Sequence, residues 1–160
     1  MAIIVEAPNE IYSLENNKNI KLFLAGGIQN CPFWQNELIK LLEKEDDLTI
    51  YNPRRKNFPI NDSSAAEEQI TWEYIHLENA DIISFWFSKG SLNPIVLFEL
   101  GKFIESDKLI FIGIDPGYER TRDVIIQTEL SNPSIEIVDS LKDLSDQILN
   151  VILRHKIDQD

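Results

Sequence analysis

Short apolar runs of β-type character recur along the chain at Ile20 to Ala25, Leu48 to Tyr51, Ala80 to Phe87, Lys108 to Ile114 and Ile135 to Val138. Segments of helical periodicity separate most of them. The first helix is expected from about Pro32 to Glu45, with Phe33, Leu38, Leu41 and Leu42 facing inward. A second starts at Ser64-Ala65-Ala66-Glu67, which has the form of a capping box, and runs to Asn79. Asn93-Pro94 opens a third, because Asn suits the cap and Pro the first helical position, and it continues to about Ser106. The last spans Leu141 to Arg154. A further run, Ile3 to Val5, is a candidate extra edge strand.

Strands alternating with helices predict a parallel sheet covered on both faces. The expectation is one α/β domain over residues 1–160, a doubly wound five-stranded parallel sheet of flavodoxin-like or Rossmann-like type. With 160 residues and 43% hydrophobic content, the chain can bury a core of that size. In such sheets ligands bind beyond the carboxyl ends of the strands, where strand order reverses. Three loops belong there: Gly26 to Pro32, Asn52 to Asp62 and Ser88 to Pro94.

Composition narrows the chemistry. A net charge of −12 opposes nucleic-acid binding, which rests on Lys and Arg replacing counterions around phosphates. The apolar runs are far shorter than the roughly 20 residues of a membrane span, and no basic segment and apolar core follow Met1, so a cytoplasmic protein without membrane contact is expected. One cysteine and two histidines leave little for a metal centre, and no metal is expected. Cys31 has no evident histidine partner and reads as a loop thiol. Adjacent glycines at 26 and 27 permit close backbone approach to a ligand or simply form a tight turn; the pattern is neither GxGxxG nor a P-loop.

Two carboxylates stand out. Glu73 follows Ile70 by three and precedes Leu77 by four, on the stripe expected to face the sheet. There it either pairs with a buried cation or lines a ligand cavity; a phase shift of one residue would instead put it in water. Glu99 lies near the second turn of the third helix, whose amino end faces the expected cleft and favours an ionised carboxylate. The plainer alternative is a solvated stripe with a Glu99–Lys102 pair. If both converge, they form the paired carboxylates that glycosidic cleavage uses. Asn52-Pro53-Arg54-Arg55 is the dense basic spot beside a strand end, fit for an anion or for this chain's own acids. Trp34, Trp72 and Trp86 are core, cleft wall or a base-stacking face, and Asp81 reads as a strand-edge residue bonding local backbone.

Leu24-Ala25-Gly26-Gly27 at a strand end, a helical acid eight residues before the Asp of Ala80-Asp81, and Phe98-Glu99-Leu100-Gly101 preceded by Asn93-Pro94 together resemble the nucleoside 2-deoxyribosyltransferase superfamily. That superfamily also contains deoxynucleoside monophosphate N-hydrolases. The resemblance covers about Ile20 to Asp123. It implies that Glu99 is a nucleophile forming a covalent deoxyribosyl-enzyme and that Glu73 stands where a family aspartate assists base protonation. Asn93 stands where transferases carry an Asp gripping sugar hydroxyls and hydrolases a Ser. Phe23 replaces a Tyr that hydrogen-bonds the nucleophile, and Gln29 stands where the hydrolases tend to have Arg.

The resulting expectation is base exchange on a (deoxy)ribonucleoside with Glu99 and Glu73 catalytic. Gly26, Gly27, Asn93, Phe23, Gln29, Trp72, Asn52 and Arg54 would bind substrate. The implied partners are a nucleoside and a free nucleobase, with no cofactor. The alternatives are a nucleoside or nucleotide N-hydrolase and a non-catalytic nucleotide sensor. The resemblance also implies a homo-oligomer, since family sites are commonly completed by a neighbour's loop; Arg120, Arg122 and Asp123 are the residues expected to reach across.

Overall fold

The computed structural model describes residues 1–10 and 18–159. Its elements run β1 (Ile3–Glu6), β2 (Ile20–Gly26), α1 (Trp34–Leu42), β3 (Leu48–Asn52), α2 (Ser63–Asn79), β4 (Ile82–Phe87), α3 (Pro94–Phe103), β5 (Leu109–Ile114), α4 (Thr121–Ser131) and α5 (Leu141–Gln159). All strand pairings are parallel and the order is β1-β3-β2-β4-β5. The expected doubly wound α/β sheet is therefore the fold. Its strands are apolar along their length because both faces are covered: every residue of β3 and of β4 is buried.

The two faces have separate cores. On one, Trp34, Leu38 and Leu42 of α1 meet Leu144, Ile148 and Ile152 of α5 over Leu22, Leu24 and Ile50. On the other, Trp72 and Leu77 of α2, Val96, Leu100 and Phe103 of α3 and Val124 of α4 pack over Phe23, Phe85 and Ile112. The chain leaves β2 toward the first face and β4 toward the second, so their carboxyl ends diverge side by side. This is the reversal point at which such sheets leave a crevice.

Several local expectations are corrected. The fifth strand is the edge run β1, paired to β3 in register Ile3 with Thr49, whereas Ile135 to Val138 contributes only a bridge from Val138 to Gly113. A helix, α4, occupies 121–131, which the apolar pattern does not announce because only Val124 and Thr128 of it are buried. Helix α1 is shorter than expected: Phe33 and Leu41 face outward, at 62% and 36% exposure. Phe33 lies instead beneath the Arg54 guanidinium, 3.9 Å from its ring centre. Asp62, not Ser64, caps α2, its carboxylate accepting from the Ser64 amide at 2.9 Å. Helix α5 continues past Arg154 to Gln159.

Candidate active site

A cavity of about 250 Å³ opens at the carboxyl ends of β2 and β4. Its walls come from Phe23 and residues 25–29, from Pro53 after β3, from Glu73 on α2, and from Ser91, residues 93–96 and Glu99 leading into and along α3. A more apolar cavity of about 630 Å³ adjoins it, sharing Gln29, Glu73, Ile95 and Glu99 and adding Ile70, Tyr74 and Phe98. The two carboxylates singled out in the sequence thus stand together where both spaces meet.

Glu99 is 8% exposed, so it is not part of a solvated stripe. Lys102 turns away from it and pairs with Glu78 of α2 at 2.7 Å. No described residue donates a hydrogen bond to the Glu99 carboxyl, consistent with the apolar Phe23 in the wall nearby. Burial, and then the negative charge of Glu73, push its pKa up to about 8, with Lys102 acting weakly in the other direction. The helix dipole by itself favours an ionised group at this position. A dipole contributes about 0.3–1 kcal/mol and decays within the first turn, whereas desolvation of a buried carboxyl shifts its pKa by several units. Desolvation prevails, and Glu99 holds a proton near neutrality.

Glu73 is half-buried, and burial also raises its pKa. Unlike Glu99 it has support: Gln69 Nε2 donates to its Oε1 at 2.7 Å, and the Arg55 charge lies close enough to favour the ionised form. One carboxylate is therefore assisted and the other is not, an asymmetry that divides roles between members of an acid pair.

Of the remaining expected site residues, Phe23, Gly26, Gly27, Gln29 and Asn93 line the cavity. The glycines there are required by the chain's own packing. A Cβ on Gly26 would stand 2.2 Å from the Trp34 ring, and one on Gly27 would stand 1.8 Å from Asn93 Oδ1. Asn93 is 3% exposed in the left-handed region at φ 51°, a conformation that Asn tolerates better than most residues. Its Nδ2 donates to the carbonyls of Ser88 (3.0 Å) and Ser91 (3.1 Å), and the Cys31 thiol lies 3.6 Å from its Oδ1. Both amide hydrogens are thus committed to holding the β4–α3 loop. The side chain provides no cap for α3, which leaves the amino end of that helix open at the cavity wall.

The structure places Trp72, Asn52 and Arg54 outside the cavity lining. Trp72 stacks on His76 with ring centres 3.9 Å apart and donates from Nε1 to the Asn9 carbonyl. Trp34 and Trp86 are likewise core residues, at 2% and 5% exposure. Asn52 accepts from the Arg54 amide at 3.0 Å. The Arg54 guanidinium donates to the carbonyls of Pro32, Ile28 and Cys31 and to Gln35 Oε1, at 2.5 to 3.2 Å, binding the β2–α1 loop to the end of β3. Burial raises the Cys31 thiol pKa, in keeping with an inert loop thiol. Asp81 accepts from the Lys21 amide at 2.8 Å, a backbone contact as expected.

Sequence reading missed Gln69, Pro53, Ile28 and Ile95. Only Gln69 carried a usable signal, its position four residues before Glu73 on one helix face. Among the described residues no group of His, Cys, Asp and Glu is arranged to hold a metal ion, and no helix is long and apolar enough to cross a membrane.

Comparison with known proteins agrees with the geometry. The profile of a family described as nucleoside 2-deoxyribosyltransferase like matches residues 19–118, which contain β2 to β5 and every wall of the cavity. No curated protein matches the chain.

Proposed function

Since the chain belongs to the nucleoside 2-deoxyribosyltransferase-like family, we propose that it exchanges the base of a nucleoside through a covalent glycosyl intermediate on Glu99. The observation that carries this reading is the convergence of Glu99 and Glu73 on one cavity at the reversal point of the sheet. Their charges are coupled closely enough that Glu73 raises the pKa of Glu99.

Near neutrality the pair shares a proton. Glu99 must give it up before attacking, and Glu73, supported by Gln69 and Arg55, is the adjacent acceptor. In the first step a Glu99 oxygen bonds to C1′ of the sugar as the C1′–N bond breaks. The bonding pair leaves with the base, and the proton passes from Glu73 to the base nitrogen. In the second step the incoming base attacks C1′, the ester bond to Glu99 breaks, and the proton shed by that base returns to Glu73. Configuration at C1′ is retained after two inversions. The adjoining apolar space, with Tyr74 and Phe98, accommodates the planar base. The site requires no cofactor for this chemistry.

The test combines product analysis with trapping. The protein is incubated with a panel of nucleosides and free bases, and products are resolved by chromatography. A 2′-fluorinated nucleoside, which slows the second step, is expected to leave a glycosyl adduct on Glu99 in digested protein. An adduct on Glu73 would reverse the roles. Base release that free bases do not accelerate would mark an N-hydrolase instead, and binding without base release a sensor.

A further inference from the structure

We infer that Gln69 is a positioning residue for Glu73: held in one orientation by Arg55, it occupies Glu73 Oε1 and directs any proton on Glu73 to Oε2. This rests on the role of Glu73 proposed above, but it is built from contacts of its own.

An amide side chain is ambiguous by itself, since its oxygen and nitrogen can exchange places by a flip. Here the surroundings remove the ambiguity. Arg55 Nε can only donate, and it lies 2.6 Å from one end of the Gln69 amide, so that end is the oxygen. The other end is then the NH₂ group. Its two hydrogens have two acceptors, the Pro53 carbonyl and Glu73 Oε1, each at 2.7 Å. Every hydrogen-bonding position of the amide nitrogen is filled.

Arg55 is itself fixed. Its side chain is 8% exposed, and Nη2 donates to Glu68 Oε1 at 2.9 Å. The order Glu68, Arg55, Gln69, Glu73 thus runs from the surface of α2 through the β3–α2 loop to the cavity wall: Arg55 donates outward to Glu68 and inward to Gln69, and Gln69 donates onward to Glu73. At its inner end, Oε1 of Glu73 receives a hydrogen bond and is the poorer site for a proton. Oε2 has no such donor.

The charged groups facing Glu73 are Glu99 from α3 and Arg55 from the loop after β3; Glu68 of its own helix pairs with Arg55, and Lys102 of α3 is engaged by Glu78. From β2 the neighbouring wall is the apolar Phe23. Gln69 is consequently the direct hydrogen-bond partner through which the Arg55 charge and the Glu73 carboxyl are connected.

Two substitutions separate positioning from bulk. Gln69→Leu keeps most of the volume and removes the donor. Gln69→Glu keeps an acceptor for Arg55 but can no longer donate to Glu73 and adds a negative charge beside it. The first readout is the carboxyl titration of Glu73, followed by ¹³C NMR with Glu73→Gln used for assignment. Both variants are expected to titrate Glu73 at higher pH than the wild type, Gln69→Glu by more. The second readout is base release across pH: kcat is expected to fall about tenfold in Gln69→Leu, with KM within about twofold and the pH profile displaced upward.

An unchanged Glu73 titration in both variants overturns the inference, whether or not the protein releases base. Should Gln69→Leu fail to fold, Gln69→Met, which also keeps the volume and removes the donor without adding a charge, decides the question. Absence of base release from the wild type overturns the proposed function and leaves the NMR test of the hydrogen-bond direction in force. A shifted titration with an unchanged rate profile would instead show that Glu73 is positioned but takes no part in proton transfer, which overturns the catalytic half.

Discussion

The amide oxygen of Asn93 occupies the position that a side chain on Gly27 would need, 1.8 Å from where its Cβ would be. The β2–α1 and β4–α3 loops can approach this closely only because residue 27 has no side chain. Asn93 stands there in the left-handed conformation, immediately before α3, the helix that carries Glu99.

Gly27→Ala is therefore expected to displace the β4–α3 loop rather than merely to stiffen a turn. Overpacking of this kind costs about 1–3 kcal/mol, and turnover should fall more steeply than stability because Asn93 and Glu99 move together. Urea denaturation alongside base-release assays checks this. A stable variant with full activity would show that the loops are not packed in this way.

Glu99→Gln should fold more stably than the wild type above neutral pH. The wild-type carboxyl titrates at about 8 in the folded protein against an ordinary 4.5, so between those values the folded state holds a proton that the unfolded state has released. Stability then falls as pH rises through this window and levels off above it. Removing the titration should recover roughly 1–3 kcal/mol at pH 8.5 and almost nothing at pH 5. Urea midpoints for both proteins at the two pH values are the measurement. Parallel pH dependence would mean that Glu99 is ionised within the fold.

Nucleosides should be better substrates than their 5′-monophosphates. Among the described residues no Lys or Arg lines the smaller cavity, while two carboxylates do, and Lys102 beside the adjoining apolar space is paired with Glu78. The Arg54 guanidinium is engaged with loop carbonyls, and Arg55 with Glu68 and Gln69. The comparison is kcat/KM for a nucleoside and its monophosphate, and an advantage of more than about tenfold for the monophosphate would refute the assignment of these arginines.

Arg54→Lys should not substitute for arginine. The guanidinium spreads four hydrogen bonds over Ile28, Cys31, Pro32 and Gln35 and also stacks on Phe33. An ammonium cannot reproduce that planar fork. Loss of stability by about 1–3 kcal/mol and a raised KM are expected, with the rate at saturating substrate nearly preserved, because Arg54 does not touch the cavity. Thermal denaturation and steady-state kinetics measure both, and a large loss of kcat with unchanged KM would place Arg54 in the chemistry instead.

The sequence by itself determined the architecture and one pair of residues. Apolar strands alternating with amphipathic helices leave a parallel sheet with two covered faces as the economical burial of those runs, and a carboxylate on the inward stripe of α2 or in the apolar helix α3 is conspicuous because burying charge is costly. Three things depended on the tertiary structure. Edge pairing was one: Ile3–Glu6 and Ile135 to Val138 look alike as short apolar runs, and only the neighbours available decide which joins the sheet. The fate of the arginines was another, since Arg54 next to a strand end is equally suited to an anion and to loop carbonyls until the loop of 28–33 is folded around it. The last was the protonation of Glu99, which depends on burial and on the charge of Glu73, a residue 26 positions away in sequence. Local pattern indicates which elements form and most of what they bury, but Phe33, Leu41 and Ile70, apolar positions expected inside, are exposed, because what each side chain meets depends on contacts between segments remote in the chain.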